Sequence, residues 1–350
     1  MEKIFKRTLL GAAVASIALS GSALAKPATE TVDLYGQIAI SVAQNAETKD
    51  GVDKPIVMDN ESRIGVRGSA DWERGPTIIW QLEGGNVDDD GSNSGLGVRD
   101  TYGGFDFGDS GKVRFGRVLT PLFEVVDGYT GQSSGGGFNV GNTGNTNYDR
   151  QSNMVRYDSA NLGGFSFALG AGRGDEKIAG SNVYSASGQF TTGVFTAKLA
   201  FENNKDRTIT KADDAKSIAE VRGDANAMIA GINVDLEGFG VHAAYLTGEV
   251  KPEAGKAGGA YDKATQSAYK FGAYYTGVEH WTFNLNFAAS TDVKQDGVSQ
   301  KNKDQAITGQ AMYSIDSNAV VYARLVHHTD KVAGESKSDL GWRLGMEYYF

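Results

Sequence analysis

Arginines that alternate with apolar residues carry most of the chemistry this chain could perform. Arg63 and Arg67 oppose Ile64 and Val66, and Arg150 shares parity with Arg156 against Val155 and Tyr157. On an extended backbone, side chains two apart share a face, so both pairs of guanidiniums point to the polar side. Fixed guanidiniums attract and orient anions rather than break bonds. Bond cleavage needs a nucleophile with a polarised base beside it. Only four histidines could serve, His242, His280, His327 and His328. His327 and His328 are adjacent and fall on opposite faces of a strand, and His280 sits in a turn, so no catalytic function is expected. With no cysteine, disulfides, thiolate metal sites and thiol chemistry are excluded, and no cofactor or metal is expected.

The elements that must position these arginines are β-strands. Sixteen segments of alternating apolar and polar residues begin near residues 31, 60, 76, 96, 112, 150, 163, 181, 193, 221, 238, 265, 280, 304, 318 and 339. In the first, Val32, Leu34, Ile38, Ile40 and Val42 alternate with Asp33, Tyr35, Gln37, Ala39 and Ser41. In the last, Leu340, Trp342, Leu344, Met346, Tyr348 and Phe350 oppose Gly341, Arg343, Gly345, Glu347 and Tyr349. Short connections rich in Gly, Asn, Asp and Ser fall at Glu73-Arg74-Gly75, Asp109-Ser110-Gly111, Asn161-Leu162, Thr192-Gly193, Glu237-Gly238, Val278-Glu279 and Ser317-Asn318, where tight turns need such residues. Long polar connections alternate with them, at about 44 to 59, 86 to 95, 119 to 149, 174 to 180, 204 to 220, 251 to 264, 292 to 303 and 330 to 338.

This rhythm predicts an all-β, transmembrane 16-stranded antiparallel β-barrel with short periplasmic turns and long extracellular loops. A water-soluble sandwich would also alternate, but its outer face would carry charge. Here the apolar face carries large aromatics, with Trp72, Trp281, Tyr348 and Phe350 near strand ends as in an interfacial girdle. In hydrocarbon every backbone polar group must pair within the protein, so the sheet has to close on itself. At about sixteen strands the bore is too wide for side chains to fill, and water occupies it. A passive route for small hydrophilic solutes and ions follows.

Residues 1–25 read as an export signal: Lys3, Lys6 and Arg7, an apolar run from Leu9 to Leu19, then Ser22-Ala23-Leu24-Ala25. That run is shorter than the roughly 20 apolar residues of a spanning helix. Residues 26–350 read as one barrel domain, without a linker or a break in composition. The formal net charge of −9 argues against nucleic acid as a partner.

The third long connection, about 119 to 149, holds Gly135-Gly136-Gly137 and Gly141-Asn142-Thr143-Gly144-Asn145. Structureless loops of such length usually have a function. It is either a mobile exterior loop or one folded into the lumen that narrows it.

Several runs resemble the general diffusion porins of Gram-negative outer membranes, in particular the neisserial and related proteobacterial type. They are Val32-Asp33-Leu34-Tyr35-Gly36, Ser62-Arg63-Ile64-Gly65-Val66-Arg67-Gly68, Trp80-Gln81-Leu82-Glu83-Gly84, Gly111-Lys112-Val113-Arg114-Phe115-Gly116-Arg117-Val118-Leu119-Thr120-Pro121-Leu122, Val155-Arg156-Tyr157-Asp158-Ser159, Gly163-Gly164-Phe165-Ser166-Phe167 and the terminal Phe350. The resemblance implies an outer-membrane homotrimer of sixteen-stranded barrels, each with a pore constricted by its third loop. It also implies wall arginines at Arg63, Arg117 and Arg150 facing loop carboxylates at Glu124 and Asp127, with Gln37 on the pore lining; parity adds Arg67 and Arg156 to that lining. Two features depart from the enteric pattern: the loop has no acidic residue between Asp127 and Asp149, and Gln37 stands where a basic residue is common. Parity puts Arg117 with Val113 and Phe115, so it reaches the lumen only if its strand ends or bulges just before it. The expected partners are outer-membrane lipid and lipopolysaccharide, the latter with divalent cations at acidic loop tips such as Asp88-Asp89-Asp90, and small hydrophilic solutes.

Two further functions fit the same architecture. Long exterior loops could serve adhesion or act as a phage receptor alongside a channel. A sugar-specific pore would need an aromatic track, and Tyr35 and Tyr349, the inward tyrosines noted by parity, are too few to form one.

Overall fold

The computed structural model describes residues 27–29, 31–46, 54–85, 95–130, 137–211, 220–253 and 261–350. The expected export signal and Asp88-Asp89-Asp90 lie outside the described residues. The barrel strands are β1 (Val32–Gln44), β2 in two pieces (Ile56–Asn60 and Arg63–Ala70), β3 (Thr77–Gly84), β4 (Leu96–Asp106), β5 (Lys112–Leu119), β6 (Arg150–Asp158), β7 (Phe165–Arg173) and β8 (Asn182–Thr192). They continue with β9 (Phe195–Thr210), β10 (Val221–Leu236), β11 (Phe239–Pro252), β12 (Ala264–Tyr275), β13 (Trp281–Ser290), β14 (Asp304–Asp316), β15 (Ala319–Val332) and β16 (Glu335–Tyr349). Each is antiparallel to its neighbours, and β16 pairs with β1 from Gln37↔Tyr349 to Gln44↔Trp342, closing a sixteen-stranded barrel. Closure ends on reciprocal backbone bonds between Gly36 and Phe350, 2.9 and 3.1 Å long. The sheet also includes Pro27–Thr29 beside β1 and a small hairpin, Lys294–Gln295 with Val298–Ser299, in the connection after β13.

Alternation decides which side faces out. Leu34, Ile38, Ile40 and Val42 of β1 and Leu340, Leu344, Met346 and Tyr348 of β16 are all exposed on the outer wall, as lipid-facing side chains must be. Aromatic rings gather next to the short turns: Trp72 packs edge-on to Phe105 at 5.5 Å, and Trp281 stacks on Phe283 at 5.6 Å. Such rings beside the turns are the pattern of an interfacial girdle. No helix among the described residues is long and apolar enough to cross a membrane; the strands make the crossing.

Two connections differ from the sequence reading. The expected long loop at 330–338 is a tight hairpin: Val332 pairs with Glu335, and Ala333 and Gly334 take φ of 52° and 96°, the left-handed pair of a two-residue turn. Polar composition there reflects strands that continue past the lipid. β9 and β10 have 16 residues each, more than the roughly 9–11 that a tilted span requires.

The third connection contains a helix, α1 (Pro121–Thr130), and folds inside the barrel. Thr120 caps it: its Oγ1 accepts from the Phe123 amide at 3.2 Å and donates to the Tyr148 carbonyl at 3.0 Å. Pro121 takes the first helical position, where a missing N–H costs nothing. Leu122, Val125, Val126 and Tyr129 form one buried stripe, which packs against Ala200, Ala227, Ile229, Ala244, Leu246, Ala268 and Ala288 of the inner wall. Small wall residues leave room for the helix, so this side of the bore is dry and filled.

Candidate functional site

With its apolar stripe against the far wall and Phe123 packed on the edge of that cluster, α1 turns Glu124 and Asp127 to the opposite side. The face across from them belongs to β1–β6 and carries arginines. Burial pushes the Asp127 carboxyl above the usual carboxylate range, against the opposing effect of Arg150, Arg99 and Arg63. Those three guanidiniums therefore act on the loop carboxylate across the passage.

The arginines differ in how far they are neutralised. Arg99 donates to Glu83, and Glu83 also accepts from the Tyr35 hydroxyl at 2.8 Å. Arg150 Nε donates to Asp100 at 2.8 Å. Arg63 has no carboxylate within 4.0 Å among the described residues. Arg117 donates through Nε to the Val98 carbonyl at 2.7 Å and also makes no ion pair among the described residues. The β5–β6 ladder shifts register between Gly116 and Val118, and Arg117 lines an interior cavity with Arg99 and Arg150. The bulge required by its parity is present.

Glu124 does not face Arg63. It pairs with Arg156, which also bonds Asp158 at 2.7 Å and the Leu119 carbonyl at 2.8 Å and is only 2 % exposed. Arg114 joins the cluster through Asp158 at 2.7 Å. Arg156 thus holds the start of α1 to the wall and has little contact with open water. Gln37, at 6 % exposure, is buried between ladder partners Arg63 and Tyr349. Arg67 lies beside Asp33 at 3.6 Å with its guanidinium 5.0 Å from the Tyr35 ring centre.

Sequence reasoning missed Arg99, Asp100 and Arg207. Arg99 and Asp100 are adjacent, so regular alternation cannot turn both inward. Here the β3–β4 ladder slips between Leu82 and Gly84, and Gly97 takes φ of 95°. Arg207 follows a slip between Asn204 and Arg207, with Asp206 at φ 47°. Alternation gives no sign of such bulges; the only available cue was charged residues crowded at strand ends. The helix did have a signal, since Thr120-Pro121 followed by Leu122, Val125, Val126 and Tyr129 is a capped amphipathic turn pattern.

Lys270, 1 % exposed, donates its ammonium to the Tyr129 carbonyl in the last turn of α1, where a helix favours a cation. The Tyr129 ring occupies the space left by Gly231, and its hydroxyl donates to Asn233 at 2.6 Å. The returning limb is read by β9: Glu202 accepts from the Tyr148 amide at 2.7 Å, and Asn204 donates to the Thr146 carbonyl at 3.0 Å.

A closed barrel, a loop helix in its bore and an arginine wall opposite a carboxylate together describe a narrowed channel. The family model described as Gram-negative porin matches residues 11–334. The chain belongs to the Gram-negative porin family. This porin is 34 % identical over 380 residues to a protein called chitoporin from Vibrio furnissii, covering 100 % of both chains. Its fold matches the anion-selective porin from Comamonas acidovorans with a TM-score of 0.73 at 19 % identity, covering 92 % of this chain and 100 % of that one. OmpT of Vibrio cholerae in its trimer form gives a TM-score of 0.69 at 16 % identity, covering 91 % and 99 %. At such identities the likeness is one of fold. As a member of its family, this porin is an outer-membrane channel for passive diffusion of small hydrophilic solutes and not an enzyme.

Proposed function

We propose that solutes pass between α1 and the arginine wall, in a neck formed by Arg63, Arg99, Arg117 and Arg150 on one side and Asp127 on the other, and that the neck favours small anions. The observation that carries this reading is the pairing pattern. Glu83 and Asp100 neutralise Arg99 and Arg150, whereas Arg63 and Arg117 have no ion-pair partner among the described residues. Glu124 is occupied by Arg156, leaving Asp127 as the carboxylate across the passage. In a narrow, low-dielectric passage an uncompensated charge acts far more strongly than in bulk water. Reversal potentials in a KCl gradient test it: Arg63→Ala and Arg150→Ala each shift the potential toward cations, and an unchanged value in both would remove the idea.

The kinship with a chitoporin suggests a saccharide track as the second reading. Lumenal tyrosines do not favour it. Guanidiniums stand over the rings of Tyr35, Tyr102 and Tyr322 at 5.0, 5.2 and 5.4 Å, covering one face of each and leaving a sugar only the other. Liposome swelling with a graded series of sugars separates the two, since a general pore sorts by size and a specific one saturates.

We further infer a homotrimer, by kinship with porins of that assembly, seated in lipid and lipopolysaccharide. Three equal current steps per insertion in a planar bilayer would support it. An N-terminal export signal, removed on secretion, completes the reading, and the mass of the mature chain tests it.

A further inference from the structure

A cavity of about 770 Å³ opens on the extracellular side of the neck, between the β3–β6 rim, the returning limb of the third loop and the end of β9. Arg99, Arg117 and Arg150 form the margin it shares with the neck, and Arg207 and Lys211 line the rest. Asp149 and Asp175 are the acidic residues lining it. We propose that this antechamber is a discrete binding site for a free solute bearing a doubly charged oxyanion, inorganic phosphate being the simplest, loaded before the solute enters the neck.

Arg207 is the central residue. It is 7 % exposed, its guanidinium carbon stands over the Tyr148 ring 3.5 Å from the ring centre, and Nη2 donates to the Asn147 carbonyl at 2.5 Å. Its Nε and Nη1 are buried with no acceptor among the described residues. Glu202 and Asp149 act on it from nearby without bonding it; Glu202 accepts from the Tyr148 amide and Asn204 through Oε1, and its Oε2 is buried without a donor among the described residues. A desolvated guanidinium with open N–H groups is costly unless an acceptor arrives. Oxyanions with several oxygens meet guanidinium donors better than a spherical halide can. The stack on Tyr148 fixes the guanidinium in advance, so little ordering is required on binding. Lys211, exposed at the rim, adds charge that draws the anion in.

The site rests on the reading of the arginine wall as pore lining, and the test separates the two. Chloride current through the native channel is recorded in a planar bilayer at about 0.1 M KCl, where screening is moderate, while phosphate is added on the loop side. Phosphate is expected to reduce the current saturably. Arg207→Gln should raise the half-inhibiting concentration about tenfold, the effect of losing a charge-assisted bond. Lys211→Gln, at an exposed position where folding is not at risk, should raise it about threefold. Lys177→Gln, an exposed charge outside the cavity, should leave it unaltered. A linear or absent phosphate effect, or an equal half-inhibiting concentration in native, Arg207→Gln and Lys211→Gln channels, would overturn the site, as would an equal shift in Lys177→Gln. If phosphate saturates as described while Arg63→Ala and Arg150→Ala leave the reversal potential unaltered, the neck reading falls and the antechamber stands.

Discussion

Asp127 is the residue at which pH should be felt. Burial holds its carboxyl above the ordinary range, so it takes up a proton at a higher pH than a free aspartate does. Protonation removes a negative charge from across the arginine wall and leaves those guanidiniums less opposed. Preference for anions should therefore rise as pH falls through this titration. Reversal potentials measured across a pH series would show the rise, and Asp127→Asn should start from the anion-preferring value and flatten most of the pH response. A residual slope is expected from Asp149, whose carboxyl is also pushed up by burial at the cavity edge. An Asp127→Asn channel with an unaltered pH profile would place the sensing group elsewhere.

At the scale of elements, α1 holds its position because one face is apolar and its two ends are anchored. Thr120 and the Arg156–Glu124 pair secure the start, while Lys270 and the Tyr129 socket secure the end. The socket depends on Gly231, where a Cβ would lie 2.4 Å from the Tyr129 ring. Gly231→Val should eject the ring and loosen the end of the helix without touching the charged face. Single-channel records should then show altered conductance and greater open-channel noise, with heat-resistant barrel still present on gels. Conductance and noise equal to native would mean that the socket does not set the position of α1. The bulges before Arg117, Arg207 and Arg99 work at the same scale: each turns a charged side chain inward near the outer rim, where regular alternation would have left it on the wrong face.

For the whole molecule, the decisive contact is where the sheet closes. Gly36 lies against Phe350 and the Arg63 carbonyl, at 2.4 and 2.8 Å from where a Cβ would stand. A side chain there would clash with both the last residue and the neighbouring strand. A barrel that fails to close exposes unpaired backbone to lipid, which hydrocarbon does not tolerate. Gly36→Val should thus lower the yield of folded barrel, read as loss of the heat-modifiable band in unheated detergent gels. Native yield from that variant would show that closure tolerates displacement of Phe350.

Architecture was legible in the sequence because a period of two, repeated over sixteen strands with one face in lipid, has few other solutions. Strand starts such as 96, 112, 150, 221 and 304 coincide with the observed ones, and the inward parity of Arg63 and Arg150 required only local alternation. The final hairpin was misread because a strand that leaves the membrane becomes polar without ceasing to be a strand. Charge pairing was not legible, since it depends on contacts between distant strands: Arg150 with Asp100, Arg99 with Glu83, and Glu124 with Arg156 rather than across the neck. Bulges were invisible for a similar reason, because a one-residue slip is a property of two paired chains. The sequence alone thus determined a lipid-facing cylinder with a hydrated bore; only the tertiary structure decided which arginines have a carboxylate within ion-pair distance, because that depends on which carboxylates the closed barrel brings within reach.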